Sequence, residues 1–244
     1  MKLFFLCALA CMLSSPAWTA DKLTEFSAYY DASTNGISGN AERHLINLGD
    51  ERYRLNISLE AKVAGVEIGD LEQASELLYV DSRIQPQNYS YHVSGLSSDV
   101  ESVSFNWDAG VALSADEDES WTVAINDHTL DELSYQLALA MDVAAANKEY
   151  YDYETVDGDT LDQLHFRAIG EEIVDTPLGP LHCIKLERVR EEDSNRATLI
   201  WLAKDWGHLL TKIEQTSSSG LRIKLDLTNA IVDGQQVSGI SLEG

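Results

Sequence analysis

The chain has 244 residues, an apolar fraction of 44%, and 41 acidic against 17 basic side chains, for a formal charge of −24. That apolar share supports a real hydrophobic core and argues against disorder. A surface this negative repels phosphate backbones and anionic headgroups, which excludes nucleic-acid binding and weighs against electrostatic docking on membranes.

Residues 1 to about 20 have the layout of a secretory signal: Lys2 is the positive start, Leu3 to Leu13 form an apolar run, and Ser14 to Ala17 are small or helix-ending. The run is shorter than the roughly 20 residues of a membrane-spanning helix, so cleavage is expected, after Ala17 or Ala20, with no stable membrane insertion afterwards. Ala8-Leu9-Ala10 before Cys11 is a poor match to a lipid-attachment site. The expected address is the periplasm. Cys7 and Cys11 leave with the leader, and Cys183 then has no partner for an internal disulfide. Its place in the strand-like run Leu181 to Leu186 is that of a buried, structural thiol.

The rest of the chain, 21–244, reads as a single β-rich domain. Its clearest strand is Tyr53 to Val63, where apolar odd positions alternate with polar even ones, so one face is core and the other is wet. The same period recurs from Leu221 to Leu227. Further strands are expected at 26–32, 43–48, 74–80, 87–93, 100–107, 164–169, 181–189, 198–203 and 210–215. Turn chemistry at Asn35-Gly36, Gly49-Asp50, Asp157-Gly158, Pro177 to Pro180 and Ser217 to Gly220 separates many of them. Asp116 to Glu119 reads as a solvated loop.

One helix is expected from about Leu130 to Ala146, with Thr129 as the cap and Glu132 reaching back in a capping box. Leu130, Leu133, Leu137 and Met141 fall on one side, and Tyr135, Leu139 and Val143 form a second apolar stripe. A helix apolar on two sides needs cover on more than one. A strongly curved antiparallel sheet, a half-barrel or open barrel around one central helix at about 130–146, provides it.

The helix segment Asp131-Glu132-Leu133-Ser134-Tyr135-Gln136 resembles the D-x-L-S-x-Q stretch of an exported bacterial family known as domain of unknown function 3108. Pro86 to Tyr89, Glu172 to Gly179 and Ile200 to Asp205 are similar to its P-x-x-Y, E-x-I-x-T-P-x-G and W-L-A-x-D segments, in the same order. Leu210 stands where that family usually has a proline. The resemblance implies an exported β-rich protein without an established activity. The strand ending in W-L-A-x-D is also similar to carriers of the lipoprotein-carrier type, whose half-barrel covers helices and holds acyl chains.

No nucleophile, base and stabiliser assemble from motifs, and no cofactor-binding or metal-ligand spacing is present; the six histidines are scattered singly. Asp152, Glu154, Asp157, Asp159 and Asp162 cluster around Gly158, but the glycine is out of place for a calcium loop, which leaves a solvated acidic turn. The expected function is therefore a non-enzymatic periplasmic binding or carrier protein for an apolar or lipid-like ligand. Leu133, Leu137 and Met141 on the helix and Tyr150, Tyr153 and Trp201 on the sheet are the residues expected to line its cavity. The alternative is an envelope assembly or scaffold protein that works through contacts with an envelope protein and has no cavity.

Overall fold

A computed structural model describes residues 22–35, 37–96, 98–146, 148–190, 196–217 and 220–241. The expected leader lies outside the described residues. No helix among them is long and apolar enough to cross a membrane.

The first half of the chain is a run of antiparallel hairpins: β1 (Phe26–Thr34), β2 (Ile37–Gly49), β3 (Arg52–Val63), β4 (Val66–Val80), β5 (Arg83–Gly95), β6 (Asp99–Asn106), β7 (Val111–Ala115) and β8 (Ser120–Ala124). A two-residue strand, β9 (Thr129–Leu130), leads into α1 (Ser134–Ala145). The second half is another such run: β10 (Tyr150–Asp157), β11 (Thr160–Thr176), β12 (Gly179–Val189), β13 (Ala197–Ala203), β14 (Leu209–Thr216), β15 (Arg222–Val232) and β16 (Gln235–Gln236). β1 pairs with β15, from Phe26 opposite Val232 to Ser33 opposite Lys224, so the two runs fuse into one 16-stranded sheet.

The sheet curves around α1 but stays open, with β8 at one end of the strand order and β9 at the other. A short stretch of chain bridges these ends. Ile125 donates to the Gly110 carbonyl, and Asn126 and Thr129 both bond the Glu154 carboxylate.

Alternation sets the inner face. Tyr53 and Leu55 on β3, Leu77 on β4, Phe166 on β11, Leu186 on β12 and Leu227 on β15 point inward and are almost fully buried. The helix buries Leu137 from one expected stripe and Leu139 and Val143 from the other, as a helix covered on two sides should.

Its start differs from the sequence expectation. Thr129 and Leu130 form a parallel bridge to Glu154 and Thr155, so the helix begins four residues later, at Ser134. Asp131 supplies the cap: its Oδ1 accepts from the amides of Leu133 at 2.8 Å and Ser134 at 2.6 Å, while Ser134 Oγ accepts from the Asp131 amide at 3.0 Å. Glu132 instead accepts from Thr155 Oγ1 at 2.8 Å. Where the family usually places a proline, a 3-10 turn (Lys204–Trp206) and two left-handed residues, Gly207 and His208, deliver the chain into β14, and Leu210 pairs with Leu202.

Candidate functional site

The helix occupies only one half of the curved sheet. Ala138, Met141 and Asp142 lie beside Ser82 and Arg83, at the turn between β4 and β5. Asp131 and Gln136, at the other end of α1, reach mid-strand residues: Ser75 Oγ donates to Asp131 Oδ2 at 2.6 Å, and Arg43 Nη2 donates to Gln136 Oε1 at 2.8 Å. Beyond that level no helix follows among the described residues.

Past this point the inner face is mainly apolar, with Gln73, Glu101 and Gln215 interspersed, and it loses its cover. On β3, Tyr53 and Leu55 are buried beside the helix while Ile57 and Leu59 further along are part-exposed. On β4 and β5 the inward row passes from buried Leu77 and Tyr89 to part-exposed Leu71 and Tyr91. On β15 it passes from Leu227 at 1% through Leu225 to Ile223 at 38% exposed. The same change runs along neighbouring strands on both sides of the β1 and β15 seam. The open half is thus a cup with apolar walls, floored by the helix N-terminus.

Polar groups gather at this floor. Tyr135 stacks on Phe166 at 5.8 Å, and Phe166 stands opposite Arg188 on β12, which pairs with Asp162 at 3.0 Å. Arg190 Nη1 donates to Thr198 Oγ1 at 3.2 Å, and Thr198 lies one inward step along β13 from Ile200. Burial pushes the Tyr135 phenol up to about 12, and Glu132 adds to the rise while Arg188, Arg43 and Arg190 oppose it. Glu132 is itself raised by burial, against the hydrogen bond from Thr155. Arg43, only 4% exposed, lies 6.0 Å from the Phe26 ring centre, and its Nε has no hydrogen-bond partner. Among the described residues it joins no ion pair.

The six residues expected to line a cavity separate into three groups. Leu133 and Leu137 are packed core, 0% and 7% exposed, so the space between helix and sheet is filled at their level. Met141 and Tyr153 line an open pocket of about 390 Å³ at the helix end of the fold, but its walls also carry Asp127, Asp142, Asp152 and Glu154, and Tyr153 Oη donates to Asp142 at 2.9 Å. Tyr150 and Trp201 lie on the outer face. Tyr150 pairs with Arg167, whose guanidinium bonds Glu187. Trp201 sits between Lys185 and Lys212, with their ammonium groups 4.7 and 4.8 Å from the ring, and its indole N–H donates to Glu172. The helix-facing row on these strands is Ala168, Leu186 and Ile200. Trp201 alternates with Ile200, and a one-residue step along a strand reverses the face.

The signal that would have found the cup was Arg43. It lies between Ala41 and Leu45 at an inward position of an alternating strand, where a cation is out of keeping. Three of the five acidic residues around Gly158 have side-chain partners: Asp152 holds His165, Glu154 holds Gln163, and Asp162 holds Arg188. Cys183 is fully buried, and burial pushes its thiol up to about 11.

Comparison with known proteins agrees with this architecture. The model of a family described as protein of unknown function, DUF3108, matches residues 26–228. A crystal structure of a β-barrel-like protein of domain of unknown function DUF1849 from Brucella abortus is similar over 87% of this chain and 99% of its own, with a TM-score of 0.57 and 8% identity. At that identity the likeness is one of fold. The crystal structure of a lipoprotein candidate from Parabacteroides distasonis aligns over 88% of this chain and 96% of its own at 8% identity, with a TM-score of 0.32. No curated protein matches.

Proposed function

We propose that this chain, which belongs to the DUF3108 family, is a periplasmic, non-catalytic binding or carrier protein that takes an apolar, lipid-like ligand into the open half of its sheet. The observation that carries this reading is the loss of cover along the inner face, from Leu55 to Leu59 and from Leu227 to Ile223. Apolar side chains that point into a concavity and remain wet lower their free energy when an apolar chain displaces the water, by roughly 25 cal/mol for each Å² covered. The expected site moves accordingly, from the packed space around Leu137 to the cup beyond the helix N-terminus. A scaffold reading does not call for an apolar, half-wet interior. The export reading rests on the leader-like residues 1–20.

Native mass spectrometry of protein purified from the periplasm, followed by organic extraction, tests the proposal. Co-purification of a lipid-like molecule in a one-to-one complex supports it. A chain that is ligand-free, and that also fails to take up added alkyl amphiphiles, contradicts it.

A further inference from the structure

Three guanidinium groups gather at the floor of the cup. In a chain of net charge −24, Arg43, Arg188 and Arg190 all lie within electrostatic reach of the Tyr135 hydroxyl. Among the described residues the carboxylates nearby are Asp162, engaged with Arg188; Glu132, engaged with Thr155; Asp131, engaged with Ser75; and Asp157 and Glu101, whose charges act on Glu132 and Tyr89. Arg190 is in an ion pair with none of these; Arg188 and Arg196 repel it and Asp162 attracts it. Arg43 lies beneath, buried, with one guanidinium nitrogen unbonded and, among the described residues, the neutral groups Gln136, Tyr30 and Phe26 beside it. A buried cation without a counter-charge is costly, and an anion arriving from outside relieves that cost.

We propose that the ligand is a single-chain amphiphile bound head-down, with its anionic group against Arg188, Arg190 and the Tyr135 hydroxyl, and its alkyl chain along Leu59, Leu71 and Leu225. The inference rests on the carrier reading and adds the headgroup chemistry to it. A guanidinium fork suits a carboxylate or a phosphate monoester equally, because each offers two oxygens in one plane. Arg43 touches no headgroup in this arrangement and acts as a positioning charge below the floor.

The test is calorimetric titration of the full chain with dodecanoate, dodecyl phosphate, dodecanol and inorganic phosphate. Both anionic amphiphiles should bind about tenfold more tightly than dodecanol, the size of effect that one or two charge-assisted hydrogen bonds produce. Arg190→Gln, a change at a part-exposed side chain that the fold tolerates, should reduce this preference to about threefold or less, and Arg43→Met should reduce it in the same direction. Equal binding of dodecanoate and dodecanol overturns the inference but leaves the carrier reading standing. Displacement of dodecanoate by equimolar inorganic phosphate also overturns it, since the site would then take a free anion. Failure of all three alkyl probes to bind overturns both readings.

Discussion

Ser75 and Asp131, 56 residues apart in the chain, meet at 2.6 Å inside the sheet with neither residue exposed to solvent. The contact fixes the first turn of α1 against the middle of β4. It also places the helix at a height that leaves the other half of the curved sheet open. Ser75→Ala should remove the hydrogen bond and leave a buried carboxylate oxygen short of a partner, at a cost of about 1 to 3 kcal/mol in chemical denaturation. Combining Ser75→Ala with Asp131→Asn should cost less than the sum of the two single changes, because they remove one shared interaction.

Burial raises the Asp131 carboxyl above its ordinary 3.8, against hydrogen bonds from Ser75, Ser134 and Leu133 that lower it, and Glu132 is raised in the same way. A carboxyl that is harder to ionise when folded binds its proton more tightly in the native state. Its contribution to stability therefore falls as pH rises from the ordinary value to the native one. Acidification through the native value toward the ordinary one should raise the Tm. The rise should be smaller in Asp131→Asn, and identical pH profiles for the variant and the wild type would contradict this account. The lowered carboxyls are all solvent-screened, Glu60, Glu171 and Glu214 as partners of lysines and Asp116 as an exposed acceptor of turn amides, and should offset little of the effect.

Cys183 should be chemically silent. With its thiol buried and pushed up to about 11, it should resist a thiol reagent at mildly alkaline pH and react fully once denaturant is added. Rapid labelling of the native protein would mean that β12 opens locally.

Trp201 was expected at the ligand and stands on the outer face instead. Trp201→Phe should cost about 1 to 2 kcal/mol through the lost indole hydrogen bond and weaker contacts with Lys185 and Lys212, read as a shift in denaturation midpoint. Alkyl-chain binding should be unaffected, because the sheet itself lies between this residue and the cup.

Much of the fold was legible because its strands obey a period of two. Tyr53 to Val63 alternates cleanly and forms β3, and the acidic run from Asp116 became the β7 to β8 turn, with Asp116 Oδ1 accepting from the amides of Asp118 and Glu119. The two-stripe helix correctly demanded a wrapping sheet. The hairpin that turns through left-handed non-glycine residues at Asp81-Ser82 was harder to read, since such residues rarely adopt that conformation. The helix start was misread because Thr129 and Asp131 are both good caps, and the tertiary bridge from β9 to Glu154 decides between them. The site was half legible. Periodicity separates an apolar face from a polar one, but only the height of the helix, set by Ser75 and Asp131, says which part of that face is filled.

The filled and open halves should respond oppositely to added bulk. Leu137→Trp must force a larger side chain into packed core and should destabilise the domain by about 1 to 3 kcal/mol. Leu59→Trp adds the same ring to a part-exposed inward position and should change stability by less than about 0.5 kcal/mol.

Uptake of an alkyl chain by the open half is read by titrating dodecanoate into the wild-type protein and into Leu59→Trp. One chain should bind each wild-type molecule, and affinity should fall at least about tenfold in the variant, whose indole occupies the path of the alkyl chain. Equal affinity in the two proteins, with the variant folded, would contradict it.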